Sequence, residues 1–384
     1  MNTKPLLLLA ALSLPAVAAP QFFFGDPPSE NHPWAKHDHN RPQPPVIKPA
    51  AKPGGAPSDA IVLFDGTEES FKKNWKHVND KRRADWQFKE GAMQSTKGAG
   101  YIRTNQEFGD IQLHVEWAAP SEVQGTGQGR GNSGVFLQGK AEVQVLDNYE
   151  NQTYPDGTAG AVYGVIPPMV NALKGPGEFQ SYDIIYRRPV YKDGKVVDEG
   201  SMTVICNGVV IQDSVPLEGG GGYRKRTYPR VGNLPEKAAL TFQDHGNPVR
   251  FRNVWVRELR KRPSDGGTDG RLSKEATAAK RAENAQMMLD QAKGKEGLEK
   301  LFKHLESLVY KHDEKVYAET SKMADAYVAE LKAAGDKLDS KKADVVGTYR
   351  AVKYLTDHKL VPQPLPALKE LDKIMADKGW KKGR

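Results

Sequence analysis

The chain has 384 residues, of which 38% are hydrophobic and 27% are charged. This balance is ordinary for a soluble globular protein, and the length allows two domains. The formal net charge is +8, but the basic residues are spread along the chain among 48 acidic ones. That interleaving argues against a nucleic-acid partner, which needs a concentrated basic surface.

The N-terminus has the pattern of an export signal. Lys4 gives a short positive start, residues 6–14 form an apolar run, and Ala-Val-Ala at 16–18 is a small-residue cleavage site. The apolar run is shorter than the roughly 20 residues that span a bilayer, so no membrane span is expected. We predict a signal peptide over residues 1–18 and an exported protein, either periplasmic or secreted.

Residues 19–57 are rich in proline and glycine. A segment of this composition buries too little apolar surface to offset the entropy that is lost when it becomes ordered. We therefore predict a disordered linker, which is extended where proline dominates.

Residues 58–260 contain about ten short apolar runs separated by turn residues. The first run is IVLF at 61–64 and the last is VRFRNVWVREL at 249–259, with Asp-Gly, Asn-Gly and Glu-Gly turns between runs. Strands of this length and number predict an antiparallel β-sandwich with little helix.

The last part of the chain is predicted to be helical. Residues 261–272 form a polar linker, and alanine, leucine, lysine and glutamate dominate residues 273–384. Apolar residues recur there at helical spacing, which predicts three to five helices. No catalytic constellation is seen in this region, so we expect it to pack on the sandwich or to bind a protein partner.

The most informative stretch is Asn132–Asp147, which reads NSGVFLQGKAEVQVLD. In a strand over 142–147, alternation places Glu142 and Gln144 on one face, opposite two valines. The apolar end of NSGVFL fits a neighbouring strand of the same sheet. The two strands would then present amide and carboxylate groups in one concavity.

Five motifs, in this order, resemble the 3-keto-disaccharide hydrolase domain family over roughly residues 59–260. They are NSGVF at 132–136, EVQVLDN at 142–148, GAVYG at 160–164, Asn207-Gly208, and QDHGNPVRFRNVWVREL at 243–259. The resemblance implies an all-β jelly-roll sandwich of the concanavalin A type, here followed by a smaller all-α C-terminal region. It also implies a 3-keto-glucoside lyase and 3-keto-2-hydroxyglucal hydratase with a carbohydrate substrate.

Three residues are predicted to be catalytic. Glu142 lies in a family-like motif, and a carboxyl group in a sugar cleft can transfer a proton or ligate a hard cation. His245 supplies an imidazole, the kind of side chain that can take and return a proton near neutral pH, although a histidine bonded to a turn carbonyl fits equally well. Arg250, or its strand neighbour Arg252, could stabilise an oxyanion or could pair with a surface carboxylate.

Six further residues are predicted to bind the substrate. Glu116 matches the acidic residue that the family carries before NSG, and it would reach the Glu142 concavity if its strand neighbours that of Asn132. Asp147 ends a strand and is explained equally well as a turn cap. The full predicted set is Glu116, Asn132, Gln144, Asp147, Tyr163 and Lys174. No cofactor is certain, metal ligands are not assigned, and a divalent cation at the reacting oxygen is left open.

The predicted function is cleavage of 3-keto-glycosides by a carbohydrate-active enzyme. A ketone at C3 acidifies the C2 proton, so elimination through an enolate would give a 2-hydroxyglucal, which hydration converts to a 3-keto sugar. The alternative is a non-catalytic carbohydrate-binding module, joined by its helical region to a surface or periplasmic assembly. A glycosidase that uses Glu116 and Glu142 as a carboxylate pair comes third.

Overall fold

The computed structural model of the chain describes residues 25–217, 221–222, 224–226 and 234–380. The chain divides into two compact units, Pro45–Gly267 and the combination of Met1–Pro44 with Thr268–Arg384. The predicted signal peptide lies outside the described residues. Among the helices that are described, none is both long and apolar enough to cross a membrane.

The unit Pro45–Gly267 is an antiparallel β-sandwich, as the turn-separated apolar runs predict. Its strands, in chain order, are β1 (Ile61–Phe64), β2 (Trp75–His77), β3 (Gln87–Lys89), β4 (Ala92–Gln94), β5 (Ile102–Phe108), β6 (Ile111–Ala118), β7 (Ser133–Leu137), β8 (Ala141–Val145), β9 (Gln180–Arg187), β10 (Val190–Lys192), β11 (Lys195–Asp198), β12 (Ser201–Cys206), β13 (Val209–Pro216), β14 (Gly221–Gly222), β15 (Lys225–Arg226), β16 (Ala238–Phe242) and β17 (Arg250–Glu258). A short helix, α1 (Glu68–Asn74), begins after Thr67, whose side chain accepts a hydrogen bond from the backbone N–H of Ser70.

Most strands belong to two large sheets. The eight-stranded sheet has the order β13-β12-β9-β6-β17-β4-β3, with β1 beside β17. The five-stranded sheet has the order β2-β5-β16-β7-β8. Strands β10 and β11, and likewise β14 and β15, form separate two-stranded ladders.

The inner faces of the two sheets share one hydrophobic core. Successive side chains of a strand point to opposite faces, so Val143 and Val145 of β8 are buried inward, as is Val115 of β6. Phe242 of β16 stacks on Phe251 of β17 with ring centroids 4.4 Å apart, which joins the two sheets. Burial of one such side chain contributes roughly 1.5–3 kcal/mol. The same alternation leaves the intervening residues on the outer faces.

The predicted pairing of the two family-like strands is confirmed. β7 runs antiparallel to β8, with Phe136 opposite Glu142 and Gly134 opposite Gln144. The strand that carries Glu116, β6, does not join them, because it lies between β9 and β17 in the other sheet. The predicted approach of Glu116 to the Glu142 concavity is therefore wrong.

The other unit is helical, and the prediction of three to five helices is confirmed within the described residues. The helices are α2 (Lys274–Ala292), α3 (Gly297–Tyr310), α4 (Glu314–Ala333), α5 (Lys342–Asp357) and α6 (Ala367–Asp377). Each helix contributes apolar side chains to one core. Representative buried residues, one from each helix in order, are Met288, Leu305, Leu331, Val352 and Leu371.

The structure differs from the predicted disordered linker over residues 25–44, which pack on the helices. Trp34 meets the Tyr310 ring edge-on at 5.9 Å. The Tyr310 hydroxyl donates a 2.6 Å hydrogen bond to buried Asp38, and the Tyr354 hydroxyl donates to the Gly25 carbonyl at 2.8 Å. The segment is ordered because the helices supply apolar and polar partners that its own composition lacks.

Residues 45–57 belong to the sandwich unit. The Gly54 carbonyl accepts two hydrogen bonds from β17, at 2.8 Å from Asn253 Nδ2 and at 2.9 Å from Trp255 Nε1. Gly54 has a φ of +76°, and an added Cβ would lie 3.2 Å from Nε2 of His114. This part of the predicted linker is thus fixed on the outer face of the eight-stranded sheet.

Candidate functional site

The outer face of the five-stranded sheet carries a cluster of polar and aromatic side chains. Thr241 of β16 lies opposite both Arg103 of β5 and Phe136 of β7. Phe136 in turn lies opposite Glu142 of β8. Because residues opposite one another point to the same face, these four side chains form one row across the sheet.

Glu142 reaches from its own strand over a glycine of the next one. An added Cβ at Gly134 would lie 2.3 Å from Glu142 Oε1 and 3.0 Å from Phe136 Cε2. The carboxyl group therefore lies directly above Gly134 and beside the edge of the Phe136 ring. A residue without a side chain is needed at 134 to leave this space.

Among the described residues, none places a charge beside the Glu142 carboxyl group that favours its ionised form. Burial raises its pKa to about 8, and no hydrogen bond or ion pair to a described residue opposes that shift. Glu142 is thus protonated at neutral pH. A carboxylic acid that keeps its proton at pH 7 is suited to act as a general acid.

Tyr101 and Gln243 lie beside Gly134 on the same face. Gln243 Nε2 donates a 2.7 Å hydrogen bond to the Tyr101 hydroxyl, and the Gln243 backbone N–H donates to the Gly134 carbonyl at 3.1 Å. The Tyr101 ring lies 5.9 Å from that of Phe136. Burial raises the pKa of Tyr101, and the nearby carboxyl groups of Glu142 and Asp244 add to the effect, while the Gln243 hydrogen bond opposes it.

The turn that follows β16 holds His245, two residues after Gln243. His245 is exposed. Asp244 does not orient its ring, because the two Asp244 oxygens accept hydrogen bonds from the backbone N–H groups of Gly100 (2.9 Å) and Gly246 (2.8 Å). These bonds hold the turn against the residue that precedes Tyr101.

Gln144 and Asn132, which are predicted to bind the substrate, instead hold loops at the edge of the five-stranded sheet. Gln144 is buried, and its amide nitrogen donates to Gln128 Oε1 at 3.1 Å and to the Gly157 carbonyl at 3.2 Å. Asn132 is also buried, and its amide nitrogen donates to the Gln128 carbonyl at 2.7 Å. The loops at 127–132 and 153–158 are therefore tied to the edge of the sheet.

Asp147 lies just after β8 and forms an ion pair with Arg130. It accepts a 2.8 Å hydrogen bond from Arg130 Nε and a 3.1 Å bond from the backbone N–H of Tyr149. The second bond is the turn-capping role left open by the sequence. A cleft of about 120 Å³ lies beside the ion pair, lined also by Pro120, Gln124 and Asn247.

Tyr163, which is predicted to bind the substrate, lies next to Glu142. Its backbone N–H donates to the Glu142 carbonyl at 3.0 Å, and its hydroxyl lies 2.7 Å from that of Tyr154. Both rings are partly exposed. Partly exposed aromatic rings with polar ends suit a ligand that has apolar faces and hydroxyl groups.

Glu116 lies on the outer face of the other sheet, with partners on several sides. Its oxygens accept hydrogen bonds from Arg252 Nε at 2.6 Å and from Asn253 Nδ2 at 2.9 Å. Nε2 of His114 lies 3.8 Å away. The neighbouring His114, together with Asn253 and Arg252, lowers the pKa of Glu116 to about 2.

Arg250 and Lys174 also lie away from Glu142. Arg250 Nη2 donates to the Gly177 carbonyl at 3.1 Å, and its guanidinium carbon lies 5.1 Å from the centre of the Phe179 ring. Lys174 Nζ donates to the Phe179 carbonyl at 2.9 Å. Both cations hold the loop before β9, so the surface-residue alternative describes Arg250 better than an oxyanion site.

Comparison with known proteins identifies the sandwich. Residues 59–257 match the 3-keto-alpha-glucoside-1,2-lyase-like domain family. The chain belongs to this family. The match covers β1 and nearly all of β17, so it includes both large sheets. Membership of this lyase-like family supports a carbohydrate-active enzyme.

Two solved structures resemble this lyase-like chain. A proposed glycosyl hydrolase from Parabacteroides distasonis is 42% identical, covering 57% of this chain and 93% of that one, with a TM-score of 0.52. A second proposed glycosyl hydrolase from that organism is 22% identical, covering 56% of this chain and 100% of its own, with a TM-score of 0.39. A search of curated proteins gave no match.

Metal ligands do not gather in the lyase-like domain as it is described. Over the described ranges of the chain, no group of three or more histidine, cysteine, aspartate or glutamate side chains is placed to hold a metal ion. The ligands of a divalent cation therefore stay unassigned.

Sequence reasoning missed Tyr101, Phe136, Gly134 and Gln243 as parts of the site. Alternation extended back from Ile102 would have placed Tyr101 on the outer face of β5. Its partner Gln243 is 142 positions away in sequence, and no local pattern links the two.

Proposed function

We propose that this protein cleaves 3-keto-glycosides by elimination through a C2 enolate and then hydrates the resulting 2-hydroxyglucal. The sandwich is proposed to be a jelly roll of the concanavalin A type. The observation that carries the proposal is the position of the Glu142 carboxyl group, which lies above Gly134 on a sheet face with aromatic rings and whose pKa burial raises to about 8. Membership of the lyase-like family supports the choice of substrate.

The reaction needs three functions at the sugar. A base removes the C2 proton, and the electron pair forms an enolate with the C3 oxygen. The enolate then expels the aglycone, so that a C1–C2 double bond forms, the C1–O bond breaks and the C3 ketone returns. An acid protonates the departing oxygen, and water later adds at C1 to give the 3-keto sugar.

The pKa of Glu142 supports the acid role. A group that keeps its proton up to a pH of about 8 can deliver it to the glycosidic oxygen at neutral pH. His245, exposed at the end of β16, is proposed as the base at C2, because an imidazole can accept a proton at that pH. The ordinary two-carboxylate mechanism is disfavoured, since Glu116 and Glu142 lie on opposite outer faces of the sandwich.

The test is to incubate the protein with a 3-keto-disaccharide in deuterated buffer, with and without chelator. Exchange at C2 and release of the second sugar are followed together. Wild-type protein is expected to show both. Loss of both on adding chelator would assign the enolate stabiliser to a metal ion.

Glu142→Gln separates the two steps. Glutamine keeps the shape but cannot deliver a proton, so we expect sugar release to fall while C2 exchange continues. Glu107→Gln is the matched control, because Glu107 is an exposed glutamate of β5 in the same sheet. If Glu142→Gln abolishes exchange as well, Glu142 is the base.

If wild-type protein binds the sugar but neither exchanges nor cleaves it, the carbohydrate-binding alternative is correct.

We also propose export, on the basis of the signal-like pattern at residues 1–18. Expression of the full gene product should yield a mature protein that begins near Ala19. Intact mass and N-terminal sequencing of protein from the periplasm and medium check this. A cytosolic product that keeps Met1–Ala18 would contradict it.

A further inference from the structure

The proposed elimination needs a group that stabilises negative charge at the C3 oxygen, and the sequence offers Arg250 or a bound divalent cation for that place. The structure places Arg250 on the eight-stranded sheet, bonded to the Gly177 carbonyl. Two other polar groups on the Glu142 face are already engaged. Arg103 donates to both oxygens of Asp80 at 3.0 Å, and the amide of Gln144 is bonded to Gln128 and Gly157.

Tyr101 occupies the right place on this face. Because Phe242 lies opposite Ile102, the next residues along the two strands, Gln243 and Tyr101, are also neighbours, and their side chains are bonded. Gln243 is bonded through its backbone to Gly134, above which the Glu142 carboxyl lies. The Tyr101 ring also lies 5.9 Å from that of Phe136, whose edge borders the same space above Gly134 as the Glu142 carboxyl group, so the tyrosine and the glutamate belong to one cluster.

The Tyr101 hydroxyl oxygen accepts a hydrogen bond from its neighbour Gln243. Gln243 Nε2 donates to the hydroxyl oxygen at 2.7 Å, which uses one acceptor position. No described residue accepts the hydroxyl proton. A ligand above Gly134 would therefore meet an O–H donor on one side and the Glu142 carboxylic acid on the other.

The surroundings of Tyr101 suit a neutral donor. Burial disfavours a phenolate and raises the pKa of Tyr101, and the carboxyl groups of Glu142 and Asp244 add to that effect, so the hydroxyl keeps its proton. The hydrogen bond that it gives grows stronger as negative charge develops on the acceptor, and a donor held in place by the protein loses little energy in reorganising.

We propose that Tyr101 is a catalytic residue that donates a hydrogen bond to the C3 oxygen of the 3-keto sugar as that oxygen becomes an enolate. This inference rests on the proposed function. The tyrosine proton stays on its own oxygen throughout, so the step changes no covalent bond of the enzyme. Gln243 acts as a positioning residue, because it holds the hydroxyl above the sheet.

The decisive variant is Tyr101→Phe, assayed by C2 exchange and by sugar release with the same 3-keto-disaccharide. Loss of one such donor typically lowers kcat by roughly 10²–10³-fold. We expect that loss in both readouts, with KM changed by a few-fold at most. Tyr149→Phe is the matched control, because Tyr149 is an exposed tyrosine outside the cluster, and it should exchange at the wild-type rate.

A second variant separates a chemical role from a structural one. Replacing Tyr101 with 3-fluorotyrosine keeps the shape and makes the hydroxyl more acidic. We expect the alkaline loss of C2 exchange to move to lower pH, which a packing role would not cause. An unchanged pH profile, or full exchange by a folded Tyr101→Phe protein, would overturn the inference. If wild-type protein itself shows no exchange, the proposed function fails instead.

Discussion

The two outer faces of the sandwich each carry a glutamate in a strand, and the two carboxyl groups differ in every neighbour. Glu116 is held by Arg252, Asn253 and His114, which keep its pKa near 2. Glu142 lies above a glycine and beside a phenyl ring, and burial raises its pKa to about 8. The comparison teaches that alternation in a strand predicts which carboxylates are turned outward, while their chemistry depends on the partners that tertiary structure supplies.

The largest expected difference between the two faces is in catalysis. Glu142→Gln should lower the rate of sugar release by roughly 10²–10⁴-fold, the usual contribution of one general acid. Glu116→Gln should release sugar within a few-fold of wild type per folded molecule, because its carboxylate is engaged far from the cluster. Steady-state assays of both variants check this, and equal losses in the two would break the comparison.

Stability should show the reverse order. Glu116→Gln replaces a carboxylate that accepts hydrogen bonds from Arg252 and Asn253, so we expect a loss of roughly 1.5–3 kcal/mol in the free energy of unfolding. Glu142→Gln should cost much less at neutral pH, because the native side chain is already uncharged there. Urea unfolding of the two variants measures the difference. A larger loss for Glu142→Gln would mean that its carboxyl group is a structural element.

The glycine beneath Glu142 gives a smaller and more local test. In Gly134→Ala the new methyl group would meet Glu142 Oε1 at 2.3 Å, so the carboxyl group must move. Overpacking of this kind costs roughly 1–3 kcal/mol, and sugar release should fall with it. Gly129→Ala is the control, since nothing lies within 4 Å of its added Cβ. Activity retained by a folded Gly134→Ala protein would show that the position of the carboxyl group does not matter.

The last comparison of the two glutamates is in the pH dependence of stability. Folding raises the pKa of Glu142 from 4.5 to about 8, so its contribution to stability is fully present below 4.5 and is lost as the pH rises through 8. For Glu116 the shift is opposite, and its contribution is lost as the pH falls through about 2. Unfolding free energies measured between pH 6 and 9 should decline less in Glu142→Gln than in wild type. Parallel curves would contradict the raised pKa.

Much of the fold was predictable from local patterns. Alternation in EVQVLD correctly separates Glu142 from the buried Val143 and Val145, and the pairing of NSGVF with it follows from the short connection between them. Helical spacing in the last third of the chain likewise predicts the helical unit. In both cases the residues that decide the structure are close in sequence.

The composition of the site was not predictable, because alternation does not specify the sheet to which a strand belongs. β16 lies between β5 and β7 although at least 100 residues separate it from each, so Tyr101 and Gln243 meet only in three dimensions. Alternation correctly turns Glu116 and Arg250 away from the core, but both lie on the eight-stranded sheet and not on the sheet that carries Glu142. The prediction of disorder for residues 25–44 was also wrong, because it rested on the apolar surface of the segment itself and left out the surface that Tyr310 provides.

The position of residues 25–44 has a consequence for the order of events during synthesis. The sandwich, Pro45–Gly267, is continuous and can fold as soon as it has emerged, because domains generally fold as units. The segment made before it must wait, since Tyr310 and Tyr354, to which it is bonded, are made only after the whole sandwich. The helical unit is thus the last of the two units to form, because it combines a segment made before the sandwich with helices made after it.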